Sequence, residues 1–157
     1  MTIKPVFRLQ LKTLPKHLRT NELRLVMIDS MRDYMKEVKR TAQRKLSGEV
    51  LNRRTGRLFR SIRTRVLSRG GQGRLRIIGR LSSDVIYARI HEFGGRIRVT
   101  PKMRAKLHSI GIHLRSTTQF IKIPKRPYLR TSFEDTQAFG TRLIQQKISR
   151  YIQRQLS

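Results

Sequence analysis

Few residues of this sequence could act as acids, bases or nucleophiles. His91 and Glu92 are neighbours, and adjacent residues on a helix do not face each other. No serine motif of the nucleophile-elbow type accompanies them, and the chain has no cysteine. We therefore predict that the protein is not an enzyme and needs no cofactor. We expect Glu92 to accept hydrogen bonds from backbone or arginine groups and so hold the adjacent turn in place.

Metal and phosphate sites are not indicated either. His91, His108 and His113 have no cysteine or nearby carboxylate that would complete a metal site. The segment Gly70-Gly71-Gln72-Gly73 lacks the lysine and hydroxyl that follow in a P-loop, and it lies between two alternating segments. That position is typical of a hairpin turn. We predict no metal site.

The first of two motifs that organise the chain runs from Tyr87 to Gly95. An apolar residue recurs there at every third position, at Tyr87, Ile90 and Phe93, which predicts one face of a short helix. Gly94 and Gly95 follow, and glycine can take the positive φ that ends a helix.

The second motif runs from Phe120 to Leu129. Ile121 and Ile123 share one face of a predicted strand. Pro124 and Pro127 each fix φ and remove a backbone donor, so strand pairing cannot continue past Ile123. The chain must then turn into its last segment.

The chain is strongly basic, with 37 lysines and arginines against 9 acidic residues and a formal net charge of +28. A compact monomer with this charge repels itself unless something negative lies nearby. The candidates are nucleic acid, an acidic protein surface and an anionic membrane. The membrane is the weakest of the three, because the chain has no long apolar span and no signal-like N-terminus.

Periodicity predicts an α+β fold in a single domain, residues 1–157. Residues 1–20 are expected to form an N-terminal arm with an edge strand, in which apolar and polar residues alternate. A long helix begins at about Asn21 and ends near Gly48. Its apolar stripe, which we interpret as core, consists of Leu23, Met27, Met31 or Ser30, Tyr34, Val38, Ala42 and Leu46.

Two alternating segments, at about 62–68 and 74–79, predict a hairpin with apolar residues on one face. The other face carries Arg63 and Arg65 on the first strand and Arg74 and Arg76 on the second. Like charges across a strand pair are unfavourable. This face therefore meets water and salt, or it meets phosphate or carboxylate groups of a partner.

A basic excursion from the sheet is predicted at residues 100–117. Thr100-Pro101 is a typical helix start and Gly111 a typical stop. The excursion could be a surface loop, reach a neighbour or line a lumen.

A second long helix should follow Pro127. Thr131 with Glu134, or Ser132 with Asp135, is a capping signature for it, and Gly140 leaves room for a kink. We expect one antiparallel sheet of about four strands, with both helices covering one of its faces.

These segments, in this order, resemble the tail-completion or virion-morphogenesis proteins of tailed bacteriophages, the head-to-tail joining family. The likeness covers most of the chain, and the family's usual aromatic after Arg-Pro is phenylalanine where this chain has Tyr128. The segments that carry it are Thr55-Gly56-Arg57-Leu58 with Ser61-Ile62, Tyr87 to Gly95, Met103 to Leu114 with Gly111-Ile112-His113, Ile123-Pro124, and Arg126-Pro127-Tyr128-Leu129.

The resemblance implies a structural virion protein that forms a ring, expected to be a hexamer, at the neck or the tail end. Such a protein joins head to tail and completes the tail after assembly in the bacterial host cytoplasm. The implied partners are other copies, neighbouring neck or connector proteins, the tail tube protein and the phage DNA in the lumen, with no membrane. The residues implied in the family motif and in assembly are Tyr87, His91, Glu92, Phe93, Gly94, Gly95, Pro124, Arg126, Pro127 and Tyr128.

The charge supports an alternative, a basic nucleic-acid-binding protein that acts in DNA packaging or retention. Against it, the sequence has no helix-turn-helix or zinc pattern, and its aromatic residues mostly fall at buried periods. Rings that form without DNA would favour the first hypothesis, and salt-dependent DNA binding by a monomer would favour the second. The candidates for contact with DNA or an acidic partner are Arg53, Arg54, Arg57, Arg63, Arg65, Arg74, Arg76 and Arg104.

Overall fold

The computed structural model describes residues 6–11, 21–51, 55–71 and 74–156. A π-helical turn, Lys45–Glu49, extends the first long helix, and Gly48 within it has a φ of 135°, as expected near a helix end. The α+β class and both long helices are confirmed. In chain order the elements are β1 (Val6–Leu11), α1 (Asn21–Arg44), α2 (Arg57–Arg60), β2 (Arg63–Gly71), β3 (Arg74–Ser82), α3 (Ala88–Phe93), β4 (Gly95–Arg98), α4 (Pro101–Ser109), β5 (Phe120–Ile123) and α5 (Leu129–Leu156).

Three strands form an antiparallel sheet in the order β1-β3-β2. β2 and β3 are the predicted hairpin, and β1 is the predicted edge strand of the N-terminal arm. The other residues of that arm lie outside the described ranges. In the register, Ile77 lies opposite Leu9 on one side and opposite Ser68 on the other.

The remaining strands, β4 and β5, pair with each other in a separate two-stranded sheet, which we call the β4–β5 ribbon. This corrects the prediction of one sheet of about four strands. β3 already has a partner on each side, and α3 with its double glycine leads the chain away from that sheet before β4 begins. Pro124 then ends β5 directly after Ile123.

α1 packs on one face of the three-stranded sheet. Every position of its predicted apolar stripe is buried, which confirms that the stripe is core. Gly79 on β3 allows the helix to approach closely, because a Cβ at this position would lie less than 3.0 Å from side-chain atoms of Met31 and Met35. A larger residue here would displace these methionine side chains where helix and strand meet.

α5 packs mainly on α1 and runs antiparallel to it. Lys45 beyond the end of α1 lies 2.6 Å from Asp135 near the start of α5, whereas Asp29 in the first half of α1 lies 2.6 Å from Lys147 in the second half of α5. The layers are thus sheet, α1 and α5, which corrects the expectation that both helices cover the sheet. α1 already covers that face, so the apolar stripe of α5 is buried against α1 instead.

Gly140 lies at the centre of the helix pair. α5 continues from Leu129 to Leu156 across this glycine, at which the sequence predicts weakening and room for a kink. A Cβ on Gly140 would lie less than 3.0 Å from three ring atoms of the fully buried Tyr34. The glycine accommodates that ring, so its role is in packing.

Candidate functional site

The two motifs meet through the carboxylate of Glu92. Glu92 is only 2% exposed, and its Oε2 accepts hydrogen bonds of 2.9 Å from the backbone N–H groups of Tyr128 and Leu129. Its Oε1 accepts a third, also of 2.9 Å, from the N–H of Arg130. These donors begin α5 and have no acceptor within the helix, and a negative charge is favourable at a helix N-terminus. We call this arrangement the Glu92 cap; it confirms the prediction that Glu92 accepts backbone hydrogen bonds.

The capping box predicted from the sequence is wrong, because Glu92 already supplies the acceptor from another part of the chain. The hydroxyls of Thr131 and Ser132 instead donate to the carbonyls of Pro127 and Tyr128, four residues earlier. α5 accordingly begins at Leu129, before either predicted cap.

The double glycine brings the two motifs into contact. Gly94 has a φ of 71°, and a Cβ there would lie 3.0 Å from the backbone nitrogen of Lys125 and 3.2 Å from the carbonyl oxygen of Ile123. The N–H of Arg126 donates to the carbonyl of His91 at 2.7 Å. Position 94 therefore requires glycine for two reasons, a positive φ and a close approach of the backbone.

Tyr128 is the buried aromatic residue of this site, with 0% exposure. Burial, followed by the negative charge of Glu92, raises the pKa of its hydroxyl, and the Ser83 hydroxyl partly opposes this. Ser83 in turn shares a hydrogen bond of 2.7 Å with the hydroxyl of Ser61, which follows α2. The sequence does not single out Ser83, which has no recognisable motif around it.

The buried face of α3 differs from the predicted one. Ala88 and Glu92 are buried, whereas Tyr87 and Phe93 are 39% and 59% exposed. The three-residue apolar period therefore does not mark the core-facing side. Glu92 occupies the buried side because its carboxylate has three donors there.

His91 lies beside the cap and is half-buried. Its Nδ1 is shielded from solvent and has no hydrogen-bond partner among the described residues. Burial, and then the nearby charge of Arg126, lowers the pKa of this imidazole. The neutral form is therefore favoured in the folded protein.

A second feature lies on the face of the three-stranded sheet that points away from α1. The register places Arg65 opposite Arg80 and Arg69 opposite Arg76. Leu67 and Ile78 lie opposite each other between these two pairs. We call the four arginines the arginine face; Arg65 and Arg69 are exposed, and Arg76 and Arg80 are half-buried.

The two half-buried members each have one polar atom without a hydrogen-bond partner among the described residues. The Nε atoms of Arg76 and Arg80 are shielded from solvent and have no acceptor within the described part of the chain. Sequence reasoning missed Arg69 and Arg80, because it ended the strands at 68 and 79. The same alternation, continued to the observed ends of β2 and β3, includes both.

The other predicted contact arginines have different surroundings. Arg63 lies 3.7 Å from the carboxylate of Asp84, and Arg57 is exposed at the start of α2. Arg74 begins β3 opposite Gly71. Arg53 and Arg54 lie outside the described residues.

Arg104 has a structural role within the excursion. Its Nη1 donates to the carbonyls of Leu114 and Arg115 at 3.1 and 2.9 Å. Its Nη2 donates to those of Ser116 and Thr118 at 3.4 and 2.7 Å. One guanidinium thus holds the segment that returns from α4 to β5. The Thr100 hydroxyl accepts from the N–H of Met103 at 3.2 Å, which confirms the predicted start of α4.

The sequence profile of the phage virion morphogenesis family matches residues 31–148. The chain belongs to the phage virion morphogenesis family. A search of curated proteins and of solved structures gives no significant match. The family is one of structural and assembly proteins, so the resemblance noted in the sequence is confirmed and an assembly role in the virion is supported.

The matched range of this virion morphogenesis protein contains the Glu92 cap, the arginine face and the excursion. Among the described residues, no three histidine, cysteine or acidic side chains group closely enough to hold a metal ion. In the same part of the chain, none of the helices is long and apolar enough to cross a membrane.

Proposed function

We propose that this virion morphogenesis protein is a structural subunit that forms a ring, expected to be a hexamer, at the phage neck or tail end. There it would join the head to the tail and complete tail assembly. The family match over residues 31–148 carries the proposal. The Glu92 cap supports it, because the carboxylate fixes the start of α5 relative to α3 and so provides a defined body for assembly.

The surface between copies is expected to include the β4–β5 ribbon and the excursion. Large apolar side chains are exposed on them or next to them: Phe120 (53%) on β5, Ile110 (58%) after α4 and Phe93 (59%) at the end of α3. An isolated two-stranded sheet is marginally stable in water, and the outer edges of this one are unpaired among the described residues. A neighbouring copy that adds a strand or covers these side chains would stabilise it.

The edge strand β1 is a second candidate contact, because within the described chain it pairs only with β3. Neighbouring neck or connector proteins and the tail tube protein would bind the two ends of the ring. The protein would then be located in the virion, after assembly in the host cytoplasm.

The mass of the purified protein in solution tests the ring directly. Light scattering coupled to gel filtration, at several salt concentrations, should show a discrete oligomer that contains no DNA. Phe120→Asp should shift the protein towards monomer. Phe139→Asp is the matched control, because Phe139 is 50% exposed on α5 rather than on the ribbon. A wild-type monomer under every condition would count against the ring.

A second candidate function is binding of the phage DNA during packaging or retention. The observation that favours it is the arginine face, whose opposed arginines belong to none of the ion pairs found among the described residues. DNA binding with a steep dependence on salt would support this candidate. It is compatible with a ring through which DNA passes.

A further inference from the structure

Every acidic side chain of this chain has a hydrogen-bond or ion-pair partner. All nine lie within the described residues, and each contacts a group of its own chain. Glu92 caps α5, and Glu22 accepts hydrogen bonds from Tyr151 and Gln155. The remaining seven form ion pairs: Asp29 and Asp33 with Lys147, Glu37 with Arg40, Glu49 with Arg44, Asp84 with Arg63, Glu134 with Arg130 and Asp135 with Lys45.

None of these pairs includes a member of the arginine face. The carboxylates that a second copy could offer to this face already carry a partner, which weakens the charge they would bring. With 9 acidic residues against 37 basic ones, a second copy is a poor source of anions, which favours a different kind of molecule as the partner.

The chemistry of the face is that of a phosphate binder. Apart from His91, every basic residue between Leu46 and Pro101 is arginine. Arginine presents a planar fork that binds phosphate or carboxylate through two parallel hydrogen bonds, and it stays charged at any pH of interest. Arg65 and Arg69 are exposed, so their guanidinium groups are open to an incoming anionic oxygen.

The spacing of the arginines favours a duplex. Members of each pair are about 5 Å apart across the strands, and the pairs are separated by four residues along each strand, about 13 Å. The major groove of B-DNA is roughly 12 Å wide, so the two pairs can contact phosphates on its two sides.

The composition of this face also favours backbone contact. On β2 and β3 it carries no aromatic residue on which an unpaired base could stack and no asparagine or glutamine, and the register adds one amide residue, Gln10 of β1, opposite Arg76. Binding through phosphates alone would not depend on sequence.

We propose that the arginine face, Arg65, Arg69, Arg76 and Arg80, binds the phosphate backbone of double-stranded DNA without sequence preference. The assignment rests on the second candidate function and identifies its surface and its ligand. DNA binding by this surface does not require that the copies form a ring.

The test is binding of the purified full chain to a fluorescein-labelled 30-bp duplex of mixed sequence, followed by anisotropy over a series of salt concentrations. The first variant is Arg65→Gln/Arg69→Gln, which alters two exposed side chains of the edge strand β2. Its matched control is Arg96→Gln/Arg98→Gln, which removes the same charge from exposed positions of β4. A second variant, Arg65→Lys/Arg69→Lys, keeps the charge and removes the fork.

We expect the glutamine variant on the face to bind at least tenfold more weakly, and its slope of log K against log salt to fall by about 2. The affinity of the lysine variant should lie between those of the glutamine variant and the wild type. The control should keep the wild-type slope. Equal losses in the face variant and the control would overturn the assignment of the surface while leaving DNA binding intact.

Two further outcomes are decisive. If the wild type binds no duplex even at low salt, the second candidate function itself fails. If polyglutamate binds in a manner that depends on Arg65 and Arg69 whereas the duplex does not, the face binds an acidic protein and the proposal is wrong. Melting curves by circular dichroism check that each variant is folded.

Discussion

The carboxylate of Glu92 accepts a hydrogen bond of 2.9 Å from the backbone N–H of Leu129, 37 residues further along the chain. The neighbouring N–H groups of Tyr128 and Arg130 donate to the same carboxylate. The helix that packs against α1 is thus capped by a side chain from a different element. The position of α5 relative to α3 depends on one buried charge.

Replacement of Glu92 by glutamine should lower the free energy of unfolding by about 3 kcal/mol, because hydrogen bonds to a buried charged group contribute about 1.5 to 3 kcal/mol each. Urea denaturation measures the change. Glu134→Gln is the matched control: it removes the same charge from the first turns of α5, where Glu134 is exposed and pairs with Arg130. The control should lose less than about 1 kcal/mol. Similar losses in both variants would contradict the importance of the cap.

Gly140→Ala should destabilise the protein by at least about 1 kcal/mol, although glycine to alanine in an exposed helix normally stabilises by about that amount. The added methyl would lie against the ring of Tyr34. In a Tyr34→Leu background the same substitution should cost less, because the ring is absent. A double-mutant cycle of unfolding free energies measures this coupling, and a coupling of zero would mean that the ring does not require the glycine.

The lowered pKa of His91 gives the stability a dependence on pH. As the pH falls, the unfolded chain protonates this imidazole before the folded chain does. The stability from this group is complete above about pH 6.5 and is lost as the pH falls towards the lower folded-state pKa.

We expect His91→Gln to flatten the pH dependence of the unfolding free energy between about pH 7 and pH 5, measured by urea denaturation at each pH. The lowered pKa of Asp33, which is caused by hydrogen bonds from Lys147 and Lys36, acts at lower pH, below its ordinary value of 3.8. Parallel curves for wild type and His91→Gln would exclude the contribution of His91.

Arg104→Lys should loosen the excursion without affecting the helix pair. Lysine cannot reach the four carbonyls that the guanidinium binds. Hydrogen exchange followed by mass spectrometry should show faster exchange in residues 100–118 and unchanged exchange in α1 and α5. The exposed Arg115→Lys is the control. Unaltered exchange in the Arg104 variant would show that other contacts hold this segment.

Local patterns predicted much of this fold. The stripe from Leu23 to Leu46 follows the helical period and is buried throughout, because α1 is covered by the sheet on one side and by α5 on the other. The hairpin follows the period of two, and the start of α4 follows from Thr100-Pro101. In these cases the signal and its structural consequence lie within a few residues.

Other features depend on residues far apart in the sequence. Glu92 was recognised as an acceptor, but nothing within α3 indicates that its donors lie at the start of α5. Gly140 has the sequence signature of a weakened helix, and only the position of Tyr34 explains it. The division of the strands into two sheets likewise depends on β1, which occupies the free edge of β3.

Two residues next to the β4–β5 ribbon, Phe93 at the end of α3 and Pro127 after β5, provide the test of function in the phage. Phe93→Asp places a charge on a side chain that is 59% exposed, so the fold should persist while contact with a neighbouring copy is lost. Pro127→Gly removes the rigid corner whose carbonyl accepts from Thr131 at the start of α5.

Electron microscopy of lysates should show heads and tails that are made but not joined, or tails of faulty length. Phe139→Asp, an equally drastic change on the exposed side of α5, should yield normal particles. Infectious particles in normal numbers from both Phe93→Asp and Pro127→Gly would contradict a role of these two residues in joining head to tail.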